Sequence, residues 1–387
     1  MRLYLTALNP TDSVTGGFLP AARALGCEVT VLTDRPDRYP DVEALRVDVR
    51  DARAVVDAIA GHHRPDAVFS DSDHLQPETA LAAGYFGLPA KDWRACLAAK
   101  NKALTRRRLA EAGVETVRST RLAPDDPPPD GLPYPVVIKP REGVASEDVL
   151  LARDPAELAA AVAGVRERRP GATLVAEEYL DGPLHTLETL GDGRDLHVLG
   201  GFRTTLGPPP HFVEERLDWD PPPAGDPGRE HVLRALRALG AGLGACHTEY
   251  ARTAAGPRVV EVNYRLIGDT CGFLLADLLG VPVFEWVLRA HLGEPVPAPP
   301  AARPGHGAAV SLVAGRSGVV TAAPGDVTEH AHGVRLVHRP LRAPGDRIEV
   351  TGTNRDYLGI VRATGPGPLA VDRAVAAFTA RAPWVVE

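Results

Sequence analysis

Short apolar runs alternate with helical patterns along the first hundred residues. Leu3–Leu8, Val29–Thr33 and Ala67–Ser70 read as strands, while Phe18–Leu25 and Ala52–Ile59 carry helical spacing. Unbroken apolar strands separated by helices are the pattern of parallel βαβ units, whose post-strand loops face a ligand crevice. Cys96–Val114 then reads as one amphipathic helix with Gly113 as its C-cap, Ala123–Pro135 as a proline-rich loop, and Val136–Lys139 as a strand. A helix over Pro155–Val165 and a strand over Thr173–Glu177 complete a small α+β unit. Strands are expected around Leu187 and over Leu196–Phe202, followed by a helix over Arg229–Leu243 and a hairpin over His247–Asn263. Beyond a linker candidate at Pro295–Pro300, strands at Ala308–Val313, Val334–Val337, Asp346–Val350 and Leu358–Ala363 and a helix at Leu369–Ala380 predict a last β-rich unit. The pattern predicts a multidomain chain built from α/β and α+β parts.

The densest chemistry lies in the predicted hairpin. His247-Thr248-Glu249 and Glu261-Val262-Asn263 occupy its two strands, joined through Thr253–Pro257. A turn centred on Ala255 sets Glu249 directly opposite Glu261, with Asn263 on the same face, and a bulge would shift that register. Opposed carboxylates on one sheet face repel unless a cation neutralises them. Two carboxylates and an amide carbonyl form an all-oxygen set suited to Mg²⁺, with Mn²⁺ as the alternative. Taken singly, either glutamate also reads as a solvated residue on an exposed sheet face.

Composition narrows the function classes. At 387 residues the chain is long enough for several domains, and its formal net charge of -7 argues against a nucleic-acid partner. The basic run Arg106-Arg107-Arg108 reads as a solvated helix face. No uncharged window approaches the roughly 20 residues of a membrane helix, and the chain opens directly into a strand, so a cytoplasmic protein without a membrane partner is expected. Cys27, Cys96, Cys246 and Cys271 lack C-x-x-C spacing, and Cys246 and His247, adjacent on a strand, point to opposite faces, which disfavours zinc. Thr15-Gly16-Gly17-Phe18 lacks the G-x-G-x-x-G pattern and reads as a tight structural turn.

Two further segments suit a nucleotide. Lys139 ends an apolar strand and is followed by a loop containing Gly143 and Ser146, which places a cation beside flexible N–H donors, as polyphosphate binding requires. Leu174–Gly182 is an apolar strand turning into Glu177-Glu178-Tyr179-Leu180, a hinge whose backbone groups can meet an adenine edge.

Taken in order, Lys102 in Ala99-Lys100-Asn101-Lys102, Lys139-Pro140, the Gly143/Ser146 loop, the Glu177–Leu180 hinge, Glu249, and Glu261-Val262-Asn263-Tyr264-Arg265 resemble the ATP-grasp superfamily. The likeness spans nearly the whole chain, and His247-Thr248-Glu249 with the segment from Asn263 to Asp269 looks most like the L-amino acid ligases and related carboxylate-amine ligases. It implies an ATP-grasp fold with a Rossmann-like pre-ATP domain over 1–96, a core over 97–300 carrying a small lid at about 115–178, and a C-terminal β-rich extension over 301–387. It also implies that Lys102 and Lys139 contact ATP phosphates, that Gly143 and Ser146 close over them, and that Glu177, Glu178, Tyr179 and Leu180 hold the adenine. Glu249, Glu261 and Asn263 would ligate Mg²⁺. Arg265, catalytic together with Lys139, would face the carboxylate substrate and its acyl phosphate. Glu214, His247 and Asp269 are the further candidates for substrate contact, and His247 reads equally well as a structural histidine. Leu184 stands where many relatives carry a ribose-binding glutamate, with Glu188 as a substitute, and Tyr264 replaces a common proline.

The implied activity is ADP-forming ligation of a small-molecule carboxylate, expected to be an amino acid, to an amine through an acyl phosphate. A ligase of siderophore or other natural-product assembly using a hydroxy acid or citrate-like carboxylate is the alternative. A nucleotide-binding protein without turnover is the reading from another class, and a homodimer is a further expectation.

Overall fold

The computed structural model describes residues 1–301 and 304–387. Its N-terminal sheet contains β1 (Arg2–Thr6), β2 (Glu28–Thr33), β3 (Glu43–Arg46) and β4 (Ala67–Phe69) in the order β3-β2-β1-β4, all parallel. Alternate strand residues feed two different cores. Leu3, Leu5, Val31 and Phe69 pack with α1 (Leu19–Ala24), while Tyr4, Leu32 and Val68 pack with α2 (Ala52–Ala60) and α3 (Gln76–Tyr85). Burial on both faces is why these strands read as continuous apolar runs. Two elements escaped the pattern: β3 is the short polar Glu-Ala-Leu-Arg, and most of the apolar positions of α3 are alanines, which mark a stripe weakly.

The Gly16-Gly17 segment is not a turn. It lies inside a π-helical stretch, Ser13–Phe18, that runs into α1. A Cβ on Gly17 would fall 2.3 Å from the Phe284 ring, so this glycine permits close helix packing. The single helix expected over Cys96–Val114 is also two helices, α4 (Trp93–Lys100) and α5 (Lys102–Glu111). Asn101 breaks it by adopting an extended conformation and accepting from the Leu104 N–H at 3.2 Å, the role of an N-cap. Gly113, at φ +64°, does terminate α5 as expected.

The small unit comprises β5 (Ser119–Leu122), β6 (Val136–Pro140), β7 (Leu150–Ala152), α6 (Pro155–Arg168) and β8 (Leu174–Glu178), with sheet order β5-β8-β6-β7. Val136, Ile138, Leu174 and Ala176 face Leu158, Val162 and Val165 of α6 to form its core.

The large antiparallel sheet then takes β9 (Leu184–Asp192), β10 (Leu196–Gly200), β11 (Phe202–Leu206) and β12 (Glu214–Trp219). After α7 (Pro227–Leu239) it takes β13 (Leu243–Thr253) and β14 (Gly256–Asn263). Helices α8 (Cys271–Leu279) and α9 (Val283–His291) follow. The chain continues through β15 (His306–Val313), β16 (Gly318–Ala322), β17 (Val327–Ala331), β18 (Val334–Pro340), β19 (Arg347–Ile348), β20 (Tyr357–Gly365), α10 (Pro368–Arg381) and β21 (Val385–Val386). Pairing of β15 with β12 carries the sheet onward to β20, β18 and β17, so the C-terminal segment extends the central sheet. Residues 302 and 303, at the start of the expected C-terminal unit, lie outside the described residues. Among the described residues no single helix is long and apolar enough to cross a membrane. The pair α8 and α9 reaches that composition jointly across a 102° bend, and most of its residues are buried.

Candidate active site

A cavity of about 750 Å³ opens where the loops after β1 and β4, the 141–149 loop, the β13–β14 hairpin and the C-terminal segment meet. Every residue assigned above to nucleotide, metal or substrate lines it, except the ribose substitute Glu188.

The break at Asn101 starts α5 at Lys102, whose Nζ donates to Glu261 Oε1 at 2.8 Å and to the Gly143 carbonyl at 3.3 Å. Lys139 emerges from β6 and pairs with Glu177 on the adjacent β8. Glu177 also receives both Nε and Nη2 of Arg106, at 2.9 and 3.1 Å. Burial opposes its charge, but Arg106 and Lys139 outweigh it and hold this carboxyl down at about 2. Burial depresses the Lys139 ammonium, against the pull of Glu177.

The hairpin reaches the expected pairing by a different route. Its turn is tight, with Thr253 facing Gly256 and Tyr250 facing Val259; the ladder then slips, leaving Val260 without a partner, and Glu249 pairs with Glu261 and His247 with Asn263. Glu249, Glu261 and Asn263 therefore present two carboxylates and an amide to the cavity. Lys102 and then Lys139 keep Glu261 ionised despite its burial. This donor set fits Mg²⁺ or Mn²⁺. Among the described residues no three His, Cys, Asp or Glu side chains close into a cage, so phosphate and water oxygens would have to complete the shell.

On the other side of the hairpin, Arg265 Nε donates to Asp73 at 2.9 Å and Nη1 to the Leu266 carbonyl at 2.9 Å, while the Leu266 N–H donates to Asp71 at 3.3 Å. Burial lifts the Asp71 carboxyl to about 7 against the pull of Arg265; Asp73, also buried, is kept low by Arg265 and Lys100. His247 is 6% exposed and donates from Nδ1 to Glu188 at 2.8 Å, with Nε2 3.5 Å from Glu249. Burial works against its imidazolium, but the two glutamates raise it to about 10. Glu214 and Asp269 complete this end; burial, then the charges of Glu249 and Asp269, push the Glu214 carboxyl up to about 8.

The fold of the chain, taken whole, is shared. Its structure superposes on the L-amino acid ligase from Bacillus licheniformis with a TM-score of 0.84 at 20% identity, covering 100% of this chain and 98% of that one. The biotin carboxylase domain of the Hydrogenobacter thermophilus 2-oxoglutarate carboxylase, solved with MgADP, ADP and bicarbonate, gives a TM-score of 0.71 at 16% identity over 100% and 90% of the chains. The fold is the ATP-grasp fold. The chain belongs to one family with the uncharacterized protein y4rH of Sinorhizobium fredii, 30% identical over 407 positions that span 100% of this chain and 84% of y4rH. No family model matches it.

In the ATP-grasp frame, several sequence expectations need correction. Arg106 is not solvated: it is 6% exposed and ties Glu177, Glu115 and the Val259 carbonyl together, whereas Arg107 is exposed. The Tyr179 N–H is committed to the Pro135 carbonyl at 3.0 Å, which leaves its carbonyl for the expected adenine contact; the Leu180 N–H, among the described residues, has no such bond. Glu188 does not line the cavity and stands behind His247, bonded to it and to Thr186, so it does not substitute at the ribose. His247 is both clamped by Glu188 and cavity-lining, a position that leaves the structural and the substrate-contact readings open. Asp71 and Asp73 were missed, although they directly follow an apolar parallel strand, where ligand loops are expected. Asn354 and Arg355 were missed because nothing local marks them.

Proposed function

We propose that this protein is an ADP-forming carboxylate-amine ligase acting on an amino acid. The observation that carries the reading is the convergence in one cavity of two lysines, the Glu249–Glu261–Asn263 face and the Asp73-braced Arg265. The likeness to an L-amino acid ligase supports the choice of substrate class.

Lys102 and Lys139 neutralise the triphosphate as a substrate carboxylate oxygen attacks the γ-phosphorus; the bond to the β-phosphate oxygen breaks, and ADP and an acyl phosphate result. Mg²⁺, held by Glu249, Glu261 and Asn263, supplies charge neutralisation on the phosphates when bound. Arg265 keeps its Nη2 free of the Asp73 and Leu266 bonds and offers it to the acyl phosphate oxygens. Burial shifts the Glu214 and Asp269 carboxyls toward the neutral acid, and a substrate ammonium placed between them would draw them back to the anion, so this end suits an ammonium. An amine then attacks the acyl carbon, forming the C–N bond as the C–O bond breaks and phosphate departs with loss of the amine proton. The 141–149 loop excludes water meanwhile. Four buried free cysteines fit a reducing compartment, and we place the enzyme in the cytoplasm.

The test is incubation with Mg-ATP and a panel of amino acids, hydroxy acids and citrate, with and without amines. ADP, phosphate and a dehydrated product should appear together and vanish in Glu261→Ala. Product from hydroxy acids or citrate alone would move the substrate class, and nucleotide binding without turnover across the panel would favour a non-catalytic protein.

A further inference from the structure

The loop between β19 and β20 is built as a rigid piece. Asp356, 1% exposed, accepts from the backbone N–H groups of Thr351, Gly352 and Thr353 at 3.0, 2.7 and 3.2 Å, and Thr353 with Asp356 forms a capping box. One side of this loop lies on the segment leading into β12. A Cβ on Gly352, at φ +72°, would fall 2.5 Å from the His211 ring. Asn354 grips Glu214 twice, accepting from its N–H at 3.0 Å and donating from Nδ2 to its Oε1 at 3.0 Å, and Tyr357 Oη donates to the Glu214 carbonyl at 2.6 Å.

The other side meets the phosphate loop. The Asn354 N–H donates to the Ala145 carbonyl at 3.1 Å, and Arg355 Nε donates to Glu147 Oε1 at 2.6 Å. These contacts land on strained backbone, since Ala145, Ser146 and Asp148 sit at φ +56°, +53° and +57°. Such conformations persist in non-glycine residues where surrounding contacts over-determine them. Arg168 and Arg169 brace Glu147 and Asp148 from α6 and the residue after it, but the bond to Ala145 comes from Asn354.

We propose that residues 351–356 act as a clip between the phosphate loop and the substrate wall at Glu214, with Asn354 and Arg355 as positioning residues that make each site's order depend on the other's occupancy. The proposal rests on the ligase reading and says how its two halves communicate. A ligase needs this coupling because a loop that closes over nucleotide before the second substrate is ordered leaves an acyl phosphate open to water. Coupling through one rigid piece is reciprocal: what nucleotide does to the Glu214 wall, a bound substrate does to the phosphate loop. Asn354, 9% exposed, carries most of the effect, because the more exposed Arg355–Glu147 pair is screened by solvent.

Hydrogen exchange on the full-length protein tests the clip with Mg²⁺ and a non-hydrolysable ATP analogue. In the unaltered chain the analogue should protect 141–149 and also 211–216 and 351–356. In Asn354→Ala, and more weakly in Arg355→Ala, protection should shrink to 141–149, and Arg355→Lys should restore the spread. Arg355 is exposed, so its variants keep the experiment decisive if Asn354→Ala fails to fold. With an amino acid that turns over, the unaltered enzyme should form one ADP per amide, and the alanine variants several, with the KM for ATP changing less than the yield of amide. Protection confined to 141–149 in the unaltered chain, or variants that retain the full spread and unit stoichiometry, would overturn the clip. An analogue that fails to bind would overturn the ligase reading and the clip with it; an analogue that binds without turnover on the panel leaves the exchange pattern to decide.

Discussion

Glu249 and Glu261 stand directly opposite each other because the hairpin ladder slips at Val260. The pairing sets like charges together; Lys102, with Lys139 beyond it, answers Glu261, and His247 stands 3.5 Å from Glu249. Replacing Glu261 with Gln should therefore raise the Mg²⁺ concentration needed for nucleotide binding by at least about 10- to 100-fold, the scale of disturbed metal sites. A titration of Mg²⁺ against a fluorescent ATP analogue measures this. Unchanged Mg²⁺ dependence in both Glu249→Gln and Glu261→Gln would remove the metal from this face.

Arg106 should behave as a core residue. Arg106→Met leaves Glu177 and Glu115 buried with one cation fewer, and losing one partner of a buried ionic network costs about 3–5 kcal/mol. Urea denaturation should show that loss, and nucleotide affinity should fall as Glu177, with one cation fewer, draws the Lys139 ammonium more tightly away from the phosphates. Arg107→Met, on the exposed side of the same turn, should leave the denaturation curve where it is.

The contrast between these two arginines shows what the sequence could and could not convey. Lys139, Glu177, Glu249, Glu261 and Asn263 were legible because each lies on or ends an apolar strand, and strand alternation is enough to put Glu249, Glu261 and Asn263 on one face; Lys102, which opens α5, came from the family resemblance alone. The agreement at Glu249–Glu261 has a physical subtlety, since a tight turn plus one bulged residue gives the same pair as a wider turn without a bulge. Arg106 was illegible because three consecutive arginines on a helix look alike until the strands that cover one of them are in place. The break at Asn101 was missed because the apolar spacing on either side stays nearly in phase, although an asparagine before Lys102 is itself a capping signal. Asn354 lies 140 residues from Glu214, and no local pattern links residues brought together by sheet continuation.

Asp73 fixes the direction of Arg265, so its loss should be felt in catalysis more than in nucleotide binding. In Asp73→Asn the Nε bond weakens and the guanidinium can swing toward Asp71, whose carboxyl burial has lifted to about 7. The expected result is a roughly 10- to 100-fold lower kcat with amino acid and amine, the order seen when a charge-stabilising group is misplaced. The dissociation constant of the ATP analogue should stay within about threefold, which is under 1 kcal/mol. A parallel loss of nucleotide affinity would instead place Arg265 at the phosphates of ATP.

His291 gives the fold a dependence on acid that does not involve the cavity. Its ring is 4% exposed, lies edge-on to Phe69, and among the described residues neither ring nitrogen has a hydrogen-bond partner. Burial, reinforced by the neighbouring Lys91 ammonium, pushes its pKa down to about 3. A histidine depressed in the fold takes up a proton more readily when unfolded, so the native state is undisturbed above about pH 6.5 and loses stability as pH falls from there toward 3. The slope approaches about 1.4 kcal/mol per pH unit as an upper limit for one group. His291→Leu removes the titrating ring while filling most of its space, so the difference in unfolding free energy between the two proteins should change in the variant's favour as pH falls from 7 to 5. Parallel pH profiles for the two proteins would mean that His291 accepts its proton in the folded state.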